Sequence, residues 1–239
     1  MRSVAPHRFI PTLLVLLFLM AGLSVMLRSQ ERVKNPDPHR FDEEIGRFLK
    51  WDRQNAVPPE GVLFIGSSSI RGWMTREYFP ELPVINRGFG GSHLSDVIFF
   101  ADQIALPYHP AVVVIYAGDN DIAFGKPAGQ VVEDFQTLTK MLQDSLSGVA
   151  IIYLPIKPSL ARWQMWPEMK KANEQIHRLI QQDSKMYYAD TAAPMFMENG
   201  ELNPTLFIED GLHLTPAGYR LWSDVLAPVI AEAQGVQKR

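Results

Sequence analysis

The sequence predicts an α/β protein, a three-layer α/β/α sandwich around a five-stranded parallel sheet. Three observations carry this prediction. From Gly61 onward, short apolar runs rich in β-branched residues alternate with stretches whose apolar residues recur at helical spacing. The runs are continuously apolar, as suits strands covered on both faces. Each gives way to glycine or short polar residues where a strand would hand over to a helix. A length of 239 residues suits one such domain, and 46% hydrophobic with 21% charged residues is ordinary for a globular chain.

Phe41, Ile45, Phe48 and Leu49 share a helical face, which predicts a helix over 39–52, broken by "NAVPPEG". "VLFIG" (62–66) is the first strand and "PVINRG" (83–88) the second. A helix over 92–106 follows, with Leu94, Val97, Ile98, Ala101 and Ile104 on one side. "AVVVIYAG" (111–118) is the third strand, and Val131, Phe135, Leu138 and Leu142 mark a helix over 128–146. "VAIIYLPI" (149–156) is the fourth strand. Met169, Ala172, Ile176 and Leu179 mark the next helix, and "MYYAD" (186–190) the fifth strand. The last helix, 216–233, has Pro216 in its first turn and is expected to bury Trp222, Val225, Leu226 and Val229. Five strands joined by right-handed helical crossovers give a flavodoxin-like arrangement with helices on both faces.

The N-terminus has a different character. Residues 9–27, between Arg8 and Arg28, are nineteen in a row without a charge. As a helix they just cross a bilayer core of about 30 Å, which predicts a signal anchor over 1–28 that meets the membrane through 9–27. A cleaved signal peptide is the alternative. The basic start suits it, but Gly22 and Ser24 make a poor cleavage site and no Ala-x-Ala is present. The polar, proline-bearing residues 29–40 read as a linker, leaving 41–239 as the domain. A short tail before a large translocated domain puts that domain outside the cytoplasm, anchored on the periplasmic side in a Gram-negative cell, or secreted after cleavage.

A net charge of −3 gives no electrostatic reason for a nucleic-acid partner. The absence of cysteine excludes disulfides, thiolate metal sites and a cysteine nucleophile. The six histidines show no metal-ligand spacing.

In a sheet of this kind chemistry sits beyond the carboxyl ends of the strands. Four stretches stand there: "GSSSIRGW" (66–73), "NRGFGGSHLSD" (86–96), "AGDND" (117–121) and, before the last helix, "EDGLHLTPAGY" (209–219). Singly, each has a plain structural reading. Ser68 would cap a helix, Gly90-Gly91 and "GDND" would form turns, and His213 would be a satisfied buried histidine. All four, in order and at the strand ends, resemble the four blocks of the SGNH hydrolase superfamily, the GDSL-type esterases and lipases, over residues 61 to about 225. The departure is Ser67, which gives "GSSS" where that family has "GDSL"; the missing acid is not one of its catalytic groups.

The resemblance implies the SGNH hydrolase fold, Ser68 as nucleophile with Asp210 and His213 completing a triad, and Ser68, Gly91 and Asn120 as oxyanion-hole donors. The residue types fit those roles. A serine hydroxyl needs a base, and neutral histidine suits neutral pH. A carboxylate holds the histidine tautomer. Backbone N–H groups and a neutral amide can stabilise an oxyanion that a carboxylate would repel. No metal or organic cofactor is required. After the fourth strand, "IKPSLARWQMWP" offers Lys157, Arg162, Trp163 and Trp166, either as a substrate rim or as a solvated loop with tryptophans packed beneath it. Arg87 and Asp121, read as ending adjacent strands, are expected to pair.

These features predict a serine esterase acting on short-chain esters, O-acetyl groups of glycans among them, with a small-molecule or glycan ester as partner. The alternatives are an O-acetyltransferase of envelope glycans, a lysophospholipase or thioesterase, and a catalytically silent binding module.

Overall fold

The computed structural model describes residues 32–237. The expected anchor lies outside these residues. Among the described ones, no helix is long and apolar enough to cross a membrane.

Five strands form one parallel sheet: β1 (Val62–Gly66), β2 (Val84–Gly88), β3 (Val112–Tyr116), β4 (Ala150–Tyr153) and β5 (Met186–Tyr188), in the order β2-β1-β3-β4-β5. This is the flavodoxin-like order. The three central strands are buried along their whole length, which explains their unbroken apolar sequences; the edge strands β2 and β5 are only partly buried.

The helices are α1 (Asp42–Asp52), α2 (Ser68–Arg71), α3 (Thr75–Tyr78), α4 (Leu94–Ile104), α5 (Asp119–Ala123), α6 (Ala128–Ser145), α7 (Trp166–Ile180) and α8 (Pro216–Gln237). Successive strand residues point to opposite faces. Leu63, Ile65, Val113, Ile115 and Ile151 pack against Ile45 of α1, Val97 of α4, Phe135 of α6 and Ile176 of α7. Phe64, Val112, Val114 and Ile152 pack on the other face, chiefly against Trp222, Leu226 and Ile230 of α8. A one-residue slip of β1 would exchange these two sets. With each buried aliphatic worth about 1.5–3 kcal/mol, the register is strongly specified.

Three expectations need correction. The buried stripe of α8 is Trp222, Leu226, Ile230 and Ala233, with Val225 and Val229 only partly covered at its margin. Part of the expected linker is already folded. Pro38–Phe41 form a 3-10 turn capped by Asp37, and the Arg40 guanidinium lies 2.5 Å from the Asp96 carboxylate of α4. Arg87 and Asp121 do not pair, because β1 lies between β2 and β3. Arg87 instead binds Asp52 and donates to the Tyr108 hydroxyl at 2.6 Å, while Asp121 pairs with buried Lys126 at 2.7 Å.

Candidate active site

β1 ends at Gly66, whose φ of +133° turns the chain sharply. A β-carbon there would stand 1.8 Å from the Tyr116 carbonyl oxygen, so only glycine fits. The Ser67 N–H bonds that same carbonyl at 3.0 Å, and the chain then enters α2 with Ser68 at its first position. Two neighbours hold this short helix. The Asn86 side-chain amide donates to the carbonyls of Ile70 and Trp73, at 2.7 and 2.9 Å. The Tyr219 hydroxyl of α8 donates to the Ser69 carbonyl at 3.0 Å. Ser67 is fully buried, in keeping with a residue that shapes the loop, while Ser68 is half-buried.

The Ser68 hydroxyl lies 2.9 Å from His213 Nε2, and His213 Nδ1 lies 2.6 Å from Asp210 Oδ2. The other Asp210 oxygen accepts the backbone N–H groups of Leu212 and His213, at 2.8 and 2.9 Å. Asp210 therefore reaches back over one turn with both oxygens engaged. The His213 side chain lowers the Asp210 carboxyl to about 2, and the two backbone donors assist against slight desolvation. A carboxylate so held keeps the proton on Nδ1 and leaves Nε2 free to accept from the serine.

The three expected oxyanion donors come from α2 and from the segments after β2 and β3. Ser68 N–H belongs to the first turn of α2 and has no intrahelical acceptor. Gly91, exposed at φ +78°, has open space where a β-carbon would be. Among the described residues neither N–H has an acceptor. Asn120 in α5 has its amide fixed from both ends: Nδ2 donates to the Ser92 carbonyl at 3.1 Å, and Oδ1 accepts from Arg162 at 3.0 Å. With the oxygen held by a guanidinium, the amide presents its N–H side to the Gly91–Ser92 loop. The Asp121 carboxylate accepts the Leu94 N–H at 3.1 Å, so the loops after β2 and β3 are tied directly together.

The expected rim residues separate. Arg162 reaches the site, bridging Asn120 and Asp119, with its other nitrogen 3.0 Å from Asp119 Oδ2. Trp163 is 47% exposed. Lys157 is not on the rim. It is buried beneath, 3.2 Å from the Tyr116 hydroxyl and 3.7 Å from Asp119, and burial pushes its ammonium below the usual value while Asp119 opposes. Asp119, Ser92 and Asn86 were missed as site-supporting residues. The signal for Asp119 was its place beside Asn120 in "GDND", which reads equally well as turn chemistry.

Set against known families, residues 61–221 match the model of the GDSL-like Lipase/Acylhydrolase family, a span that contains all four strand-end stretches. The chain belongs to this family. It is accordingly a hydrolase acting on ester bonds. Among solved structures, one from Streptococcus pneumonia matches with a TM-score of 0.71 and 18% identity, over 92% of this chain and 99% of that one. A GDSL-like lipase from Bacteroides thetaiotaomicron matches at 0.68 and 21%, over 79% and 98%. An acetylxylan esterase from Geobacillus stearothermophilus matches at 0.58 and 15%, over 72% and 94%. At these identities the likeness is one of fold. Comparison with curated protein sequences returns no match.

Proposed function

We propose that this GDSL-family chain is a serine esterase that removes short acyl groups, acetyl foremost, from glycans through an acyl-enzyme on Ser68. The observation that carries the reading is the hydrogen-bonded series Ser68–His213–Asp210, at 2.9 and 2.6 Å, together with the N–H groups of Ser68 and Gly91, which have no acceptor among the described residues. His213 Nε2 takes the hydroxyl proton as Ser68 Oγ attacks the ester carbonyl. The oxyanion gathers hydrogen bonds from Ser68 N–H, Gly91 N–H and the Asn120 amide. The imidazolium then returns the proton to the departing sugar oxygen. Water, deprotonated by the same histidine, releases the carboxylic acid and restores Ser68.

Two features support a small acyl group on a large alcohol. The site is open, with Gly91 and Asp210 exposed, and Arg162, which holds the Asn120 amide, is followed directly by half-exposed Trp163, whose ring meets Phe196. The same reading takes residues 9–27 as a membrane anchor that holds the domain outside the cytoplasm, supported by their uncharged run of nineteen residues. The test is a series of para-nitrophenyl esters from acetyl to dodecanoyl, followed by acetate release from acetylated oligosaccharides. The proposal requires kcat/KM to be greatest for acetyl and acetate to be released from at least one glycan. A maximum at long chains would move the substrate to lipids.

A further inference from the structure

We infer that the cleft between α7 and the segment following β5 is a subsite for a neutral oligosaccharide, the chain that carries the ester cleaved at Ser68. The inference rests on the glycan-esterase reading above.

The cleft encloses about 470 Å³ and lies at the carboxyl end of the edge strand β5. Aromatic rings line it. His177 stacks on Tyr188 with centroids 4.3 Å apart and planes 27° apart. Phe196 lies 6.0 Å from Trp166 and 6.2 Å from Trp163. Trp163 directly follows Arg162, whose guanidinium holds the Asn120 amide. The ring series Trp163–Phe196–Trp166 thus starts one residue from the arginine that holds Asn120 and ends in the cleft lining, with Trp163 half-exposed. The cleft opens at the same carboxyl end of the sheet as Ser68, and exposed aromatic surface there marks a binding face.

The chemistry selects the occupant. A pyranose ring has an apolar C–H face that lies on an aromatic ring and a rim of hydroxyls that seeks acceptors. The Glu174 and Asp190 carboxylates line the cleft and supply acceptors to such a rim. Among the described residues Lys170 is the one formal cation of the lining against these two carboxylates, so a polyanionic chain is disfavoured. A fatty acyl chain would desolvate both carboxylates and offer them no donor.

The test uses the full chain in detergent. Calorimetry measures binding of unacetylated xylo-, cello- and chito-oligosaccharides, from disaccharide to hexasaccharide, to the Ser68→Ala protein. The active protein is assayed on the acetylated forms and on para-nitrophenyl acetate. Affinity and kcat/KM are expected to rise with chain length. Trp166→Ala should lower kcat/KM for the acetylated hexasaccharide about tenfold more than for para-nitrophenyl acetate. Glu174→Gln, at an exposed position, should shift the same ratio in the same direction without touching the packing of α7. Acetylated glycans cleaved at rates independent of length, with no calorimetric binding, would overturn the subsite and leave the glycan-esterase reading standing. Turnover of para-nitrophenyl acetate alone, with no glycan bound or cleaved, would overturn both. Rates that rise with acyl length and collapse in Trp166→Ala would assign the cleft to the acyl chain and likewise overturn the inference.

Discussion

Replacing Arg162 by alanine should slow turnover without weakening substrate binding, because this side chain acts on Asn120. Two hydrogen bonds orient the Asn120 amide: one to the Ser92 carbonyl at 3.1 Å and one from Arg162 at 3.0 Å. Losing an oxyanion donor altogether costs about 3 kcal/mol of barrier, which sets the ceiling at roughly a hundredfold for Asn120→Ala. Arg162→Ala leaves the Ser92 bond in place, so roughly half of the donor's contribution survives. The remaining loss, about 1.5 kcal/mol, is roughly tenfold in kcat. Lysine should not rescue it, since a point cation cannot bridge Asp119 and Asn120 as the planar guanidinium does. The assay is steady-state kinetics on para-nitrophenyl acetate for both single variants and the double variant, with thermal midpoints recorded for each. If Arg162 works through Asn120, the double variant is no slower than Asn120→Ala. Losses that multiply, or a change confined to KM, would refute the reasoning and make Arg162 a substrate-binding group.

Asp210→Asn should keep the fold but lower kcat by roughly a thousandfold or more, since an amide can leave His213 in the wrong tautomer; steady-state kinetics measures this. Gly66→Ala should fail to fold, because its β-carbon would stand 1.8 Å from a carbonyl oxygen. Gly91→Ala, with open space around it, should lose only about 1–2 kcal/mol for its positive φ, as read by denaturant titration. Burial, reinforced by Lys126, lowers His93 to about 4, whereas unfolded it titrates near 6.5. As pH falls from about 6.5 to 4 the unfolded chain binds a proton that the folded one refuses, so stability drops, by on the order of 3 kcal/mol at most. Asp121, pushed up to about 6 by burial, acts in the opposite sense below that pH. The thermal midpoint of the native protein should therefore fall more steeply over this range than that of His93→Asn.

The strands were legible in the sequence because central parallel strands are covered on both faces and so must be apolar throughout; "VLFIG" coincides with β1 residue for residue. The positions of Ser68, Asn120 and the loop carrying Asp210 and His213 followed, since parallel strands bring their carboxyl ends to one side. What was not legible depends on strand order and on burial at a distance. Arg87 and Asp121 could be paired on paper only while β2 and β3 were taken as neighbours. Lys157 reads as exposed in a polar stretch, because its partners come from elsewhere, Tyr116 from β3 and Asp119 from α5. The phase of α8 was ambiguous because Val225 and Val229 are as apolar as the residues that are buried. Arg162 was assigned to a rim, and its bond to Asn120 has no local signature.

The central claim is an activated serine, and a fluorophosphonate probe tests it most directly. The full chain is labelled, digested and mapped by mass spectrometry, beside Ser68→Ala and His213→Ala. The account predicts one adduct, on Ser68, lost in both variants. A folded native protein that takes up no probe, or takes it up at another serine, would contradict it.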